Sequence, residues 1–153
     1  MKRQDKYPET TTFKYYNANP RGRISADCVV RAIGQAMSLP WEQVLREMTE
    51  TGIKMSRVFN EKETEEKYLA EKGWVKHAQM RKDDNTKYTG KDFCKWLSKR
   101  YPHGELGMVV ARIGGHHIVC IEPVKDLKAF HYKVVDTWDS TGGCVGNWWT
   151  EGE

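Results

Sequence analysis

Ser25-Ala26-Asp27-Cys28-Val29-Val30-Arg31-Ala32-Ile33-Gly34-Gln35-Ala36-Met37 places a polar cap, a cysteine in a first helical turn and an apolar stripe in direct succession. Val29, Ala32, Ile33, Ala36 and Met37 recur at i, i+3, i+4, i+7 and i+8, the spacing of a helix face packed into a core. Ser25 or Asp27 suits the N-cap. Cys28 then lies among unsatisfied N–H groups at the positive end of the helix dipole, where a thiolate is favoured over a thiol. A lone cysteine at a helix start is more often a small buried hydrophobe. What turns Cys28 into a candidate nucleophile lies downstream: Gly114-Gly115-His116-His117-Ile118-Val119-Cys120-Ile121, and then Val134-Val135-Asp136-Thr137-Trp138-Asp139. A nucleophilic thiol needs a base, and the base needs an orienting group. Cysteine, histidine and aspartate occur here in that order.

The chain of 153 residues is read as a single domain over 1–153, since a chain of about 150 residues buries roughly two-thirds of its unfolded surface. Cys28, Cys94, Cys120 and Cys144 are widely spaced with no CxxC pair, and MKRQDKYPETTT lacks an apolar signal core. These features lead us to expect a reducing, cytoplasmic setting. No stretch is apolar enough to span a bilayer, so no membrane partner is expected. The net charge of +4 comes from 25 basic and 21 acidic residues scattered in mixed runs such as Lys62 to Lys67. That pattern describes a solvated surface, and a nucleic-acid partner is not expected. Cys28, Cys120, Cys144, His116 and His117 lack the short ligand pairs of a zinc site, and adjacent histidines on a strand point to opposite faces. Neither metal nor cofactor is anticipated.

Residues 1–24 read as an irregular lead-in anchored by Tyr7, Phe13, Tyr15 and Tyr16, with turn chemistry from Asn17 to Arg23. After the Cys28 helix, Pro40 and the stripe Trp41, Val44, Leu45 and Met48 predict a second helix ending at Gly52. Asn60 with Glu63 predicts a capped third helix that stops at Gly73. Trp74 to Met80 suggests a short strand, with His77 at the surface, and Arg81 to Lys87 a charged loop. Thr89 and Asp92 cap a fourth helix with Phe93, Trp96 and Leu97 inward and Cys94 structural. Met108 to Ile113 and His116 to Glu122 then read as antiparallel strands joined by a two-residue Gly114-Gly115 loop. Tyr132 to Asp136 predicts a third strand, and Cys144 to Trp149 an edge strand whose tryptophans need cover. Helices first and an antiparallel sheet second is an α+β pattern.

Asp27-Cys28 opening a long helix, Gly115-His116 running into Ile118-Val119 and Val135-Asp136 ending the next strand together resemble the papain-like cysteine peptidase superfamily. Within it they are similar to the compact bacterial and phage branch that includes peptidases cutting double-glycine leaders. The resemblance covers roughly residues 17–139. It implies a papain-like fold, with the nucleophile helix packed on the C-terminal sheet, and a hydrolase acting on a peptide or protein substrate. Cys28 would be the nucleophile, His116 the general base and acid, and Asp136 the residue that orients the ring. Cys28-Val29-Val30-Arg31-Ala32-Ile33 also looks like the cysteine helix of ovarian-tumour-domain deubiquitinases.

Periodicity alone leaves His116 and His117 both open, since both faces of their strand are apolar, and the resemblance favours His116. Asp136 is preferred to Asp139 because it directly ends an apolar strand, while Asp139 suits a turn. The family often carries a glutamine six residues before its cysteine; here that position is Gly22, so an oxyanion donor is sought in Asn19 or Asn17. Two further readings are a catalytically silent papain-like binding module and a peptidoglycan amidase or endopeptidase.

Overall fold

Two sets of apolar residues alternate along the central strands, and each set needs its own cover. The computed structural model describes residues 1–153. It is an α+β fold with helices α1 (Arg3–Lys6), α2 (Cys28–Met37), α3 (Trp41–Met55), α4 (Lys62–Glu71) and α5 (Gly90–Arg100). The strands are β1 (Phe13–Tyr15), β2 (Trp74–His77), β3 (Val109–Ile113), β4 (His117–Asp126), β5 (Ala129–Asp136) and β6 (Val145–Glu151). They form one sheet in the order β1-β5-β4-β3-β6-β2. No helix is long and apolar enough to cross a membrane.

On one face, Val29, Ile33 and Ala36 of α2, with Val44, Met48 and Leu69, close over Val110, Ile118, Cys120 and Trp149. On the other, Phe93, Cys94 and Leu97 of α5 cover Val109, Ala111, Ile113, Val119, Ile121 and Val134. Burial on both sides is why β3 is apolar at nearly every position instead of alternating. It is also why periodicity does not orient β4. The tryptophans of β6 divide between the two layers: Trp149 joins the α2 core and Trp148 stacks within the α5 core.

The sheet departs from a purely antiparallel one. Phe13, Lys14 and Tyr15 pair in parallel with Val134, Val135 and Asp136, so the lead-in supplies an edge strand and the sheet is mixed. A three-residue strand centred on a lysine carries no period to detect. The Cys144–Trp149 segment is interior, because β2 returns to pair beyond β6 and takes the other edge. The Asn60–Glu63 cap does not form: α4 begins after Glu61, whose Oε2 accepts the Val58 N–H instead. Thr89 does cap α5, accepting the Asp92 N–H at 3.1 Å.

The β3–β4 hairpin sets the register of the site. Ile113 pairs with His117, so the loop is Gly114-Gly115-His116, one residue longer than the predicted Gly114-Gly115 turn. Both glycines are left-handed, at φ 64° and 94°, and the Gly114 N–H is tied to the Cys144 carbonyl at 3.0 Å. The added residue carries His116 into the turn and makes His117 the first residue of the strand.

Candidate functional site

Cys28 is the first residue of α2, and Asp27 occupies the cap position without capping. The Asp27 carboxylate turns away to accept Arg31 Nε at 2.9 Å, Asn19 Nδ2 at 3.0 Å and Trp41 Nε1 at 3.0 Å. The Cys28, Val29 and Val30 N–H groups therefore have no partner within the protein and are the free donors of the helix start. Cys28 is half-buried.

His117 comes to this helix start from the first position of β4. Its Nε2 meets Asp136 Oδ2 at 2.5 Å, which leaves Nδ1 as the ring nitrogen for the cysteine. Asp136 is saturated: Oδ2 also accepts Ser140 Oγ at 2.9 Å, while Oδ1 accepts the Thr137 N–H at 2.7 Å and Arg31 Nη1 at 3.2 Å. Trp138 lies beside the imidazole, with ring centroids 5.2 Å apart.

The electrostatics favour a charged pair. Burial pushes the Cys28 thiol up, but the neighbouring His117 imidazole and Ile118 backbone, with the charges of His117 and Arg31, outweigh it and leave the thiol below its ordinary value. Burial alone would lower His117; the hydrogen bond to Asp136, the neighbouring Cys28 sulfur and the charges of both raise it to about 9. Burial also opposes the Asp136 carboxylate, yet His117, Thr137 and Ser140 hold it below the usual carboxylate range. Cys94 and Cys120, by contrast, are fully buried and their thiols are pushed up. No three His, Cys, Asp or Glu side chains gather in a metal-binding cluster.

The structure thus brings together Cys28, Asp136 and a histidine, but that histidine is His117. His116 is exposed in the hairpin turn, outside the strand that His117 begins. Asp139 accepts the Thr141 N–H and hydroxyl and closes a turn. Each upstream asparagine spends one Nδ2 N–H within the lead-in turn. Asn19 gives its Nδ2 to Asp27, and its Oδ1 takes the N–H groups of Arg21 and Arg23; Asn17 gives its Nδ2 to the Arg23 carbonyl. Both build the turn that delivers the chain to Asp27.

Comparison with protein-family models, with curated proteins and with solved structures finds no match to this chain.

Several residues of the site escape a reading of the sequence. Arg31 stands four residues after Asp27, a helical pair spacing that was visible, but its second bond to Asp136 is a tertiary contact. Ser140 and Trp138 sit in a stretch that reads only as a turn, and Trp41 reads as core. Beside Asn19 and Trp41 opens a groove of ≈ 750 Å³ between the 19–23 turn and α3, with Arg21, Arg23 and Leu45 on its walls.

Proposed function

We propose that the protein is a papain-like cysteine hydrolase that cleaves an amide or isopeptide bond through a thioester, with Cys28, His117 and Asp136 as its triad. The observation that carries this reading is the convergence of a helix-start thiol, an imidazole and a saturated buried carboxylate drawn from three separate elements. The Cys28 thiolate attacks the carbonyl carbon, and the charge that develops on oxygen is met by the Cys28 N–H and the helix N-terminus. His117, protonated at Nδ1, gives its proton to the leaving nitrogen as the C–N bond breaks. It then takes a proton from the water that hydrolyses the thioester, and the sulfur leaves as the thiolate, restoring the thiolate–imidazolium pair. Asp136 fixes the ring and stabilises the imidazolium throughout.

A catalytically silent binding module is the second reading, favoured by one observation: Asn17 and Asn19 each spend an Nδ2 N–H within the lead-in turn, and the position six residues before Cys28 is Gly22. The test is incubation with a proteome-derived peptide library, with new amino termini identified by mass spectrometry. Cleavage that disappears in Cys28→Ala supports the hydrolase. Selective reaction of Cys28 with an electrophilic peptide probe, without any cleavage, supports the binding module.

A further inference from the structure

We infer that Arg31 is a positioning residue of this site, a buried guanidinium that locks the start of the Cys28 helix to the strand end carrying Asp136. The inference rests on the cysteine-hydrolase reading of Cys28, His117 and Asp136. One nitrogen of the group, Nε, binds Asp27 at 2.9 Å, and another, Nη1, binds Asp136 at 3.2 Å. The side chains are only 11%, 4% and 2% exposed for Arg31, Asp27 and Asp136. Asp27 immediately precedes the nucleophile, and Asp136 holds its base. A single planar group therefore spans the two halves of the site, and its rigid fork fixes their separation in a way a flexible ammonium does not.

Charge counting points the same way. With the thiolate formed, the cluster holds three anions (Cys28, Asp27 and Asp136) and two cations (His117 and Arg31). Without Arg31, three anions would face one cation in a site mostly closed to water, and one of the acids would have to take up a proton. The bond to Oδ1 also settles which carboxylate oxygen of Asp136 is left for His117. Asn19 and Trp41 complete the brace by holding the other oxygen of Asp27, which keeps Oδ1 directed at Arg31.

The experiment follows iodoacetamide alkylation of Cys28 by mass spectrometry from pH 5 to 9 in the wild type, Arg31→Met and Arg31→Lys. We expect Arg31→Met to move the acid limb of the profile up by about one pH unit, lowering the rate at pH 6 about tenfold. Arg31→Lys, which keeps the charge but not the fork, should fall between the two. An arginine that serves folding alone would lower the melting temperature of both variants and leave the profile of Cys28 where it is in the wild type, which overturns the proposal. Should the variants not fold, the wild type carries the test by nuclear magnetic resonance: the Arg31 Nε–H signal should be protected from exchange and should shift with the His117 titration. An Nε–H that ignores that titration overturns it equally. A profile unchanged between the wild type and His117→Ala removes the underlying hydrolase reading, and this proposal with it.

Discussion

Asp136 receives two hydrogen bonds on each carboxylate oxygen, and His117 takes its orientation and charge from that acid. A ring raised to about 9 in the folded protein, against about 6.5 in an unfolded chain, has consequences for stability as well as reactivity. A raised folded value means that His117 stabilises the fold fully below about pH 6.5 and loses that contribution as pH climbs through 9. The depressed carboxyl of Asp136 works in the opposite sense, stabilising above about pH 4 and failing as pH falls below it. The His117 contribution should therefore make urea midpoints decline from about pH 6.5 toward pH 9, above the range in which the raised Glu65 carboxyl also costs stability. His117→Gln should flatten that alkaline decline, and an unchanged slope would contradict the assignment. In a titration by nuclear magnetic resonance, Asp136→Asn should return the His117 midpoint toward the ordinary histidine value.

The elements divide into those that their own residues specify and those that the tertiary structure specifies. α2, α3 and α5 were legible because their stripes repeat over several turns and Pro40 or Thr89 marks the start. The stripe also separates core from site within one helix. Ile33 is fully buried, so Ile33→Ala should cost about 2–5 kcal/mol in chemical denaturation. Cys28→Ser, at a half-buried position outside the stripe, should cost under about 1 kcal/mol. Equal losses would make Cys28 a core residue. The β3–β4 hairpin was legible as a hairpin but not in its register. Gly114-Gly115 fits a two-residue loop as well as a three-residue one, and the longer loop has its Gly114 N–H tied to the Cys144 carbonyl, a contact with a distant segment. Because Ile118 and Val119 are buried on opposite faces, no polar position marks which histidine turns inward. Periodicity leaves both histidines open, and only the resemblance points to His116. The candidate triad was thus readable as residue types in order, with one position displaced by a single residue of loop.

At the scale of the whole molecule, the sheet collects segments from both ends of the chain, which local patterns do not reveal. Phe13 is fully buried at the β1 edge, so Phe13→Ala should cost about 3–5 kcal/mol in urea melts although it lies in an apparently irregular lead-in. Across the sheet, Arg112 of β3 binds Glu65 of α4 at 3.0 Å with both side chains under a tenth exposed. At pH 8, above the value of about 7 to which burial pushes Glu65, Arg112→Met should destabilise by about 3–5 kcal/mol by stranding a buried carboxylate. The double variant with Glu65→Met should recover most of that loss. The same long-range assembly brings Cys28 from α2 to His117 and Asp136 from the sheet, and the central claim is that this meeting activates the thiol. The direct measurement is the rate of iodoacetamide alkylation at Cys28, resolved by mass spectrometry at pH 6, with exposed Cys144 as the reference thiol in the same molecule. Cys28 should react faster than Cys144 in the wild type and in His116→Ala, and should lose that advantage in His117→Ala. Equal rates at the two cysteines, or a Cys28 rate indifferent to His117→Ala, would contradict it.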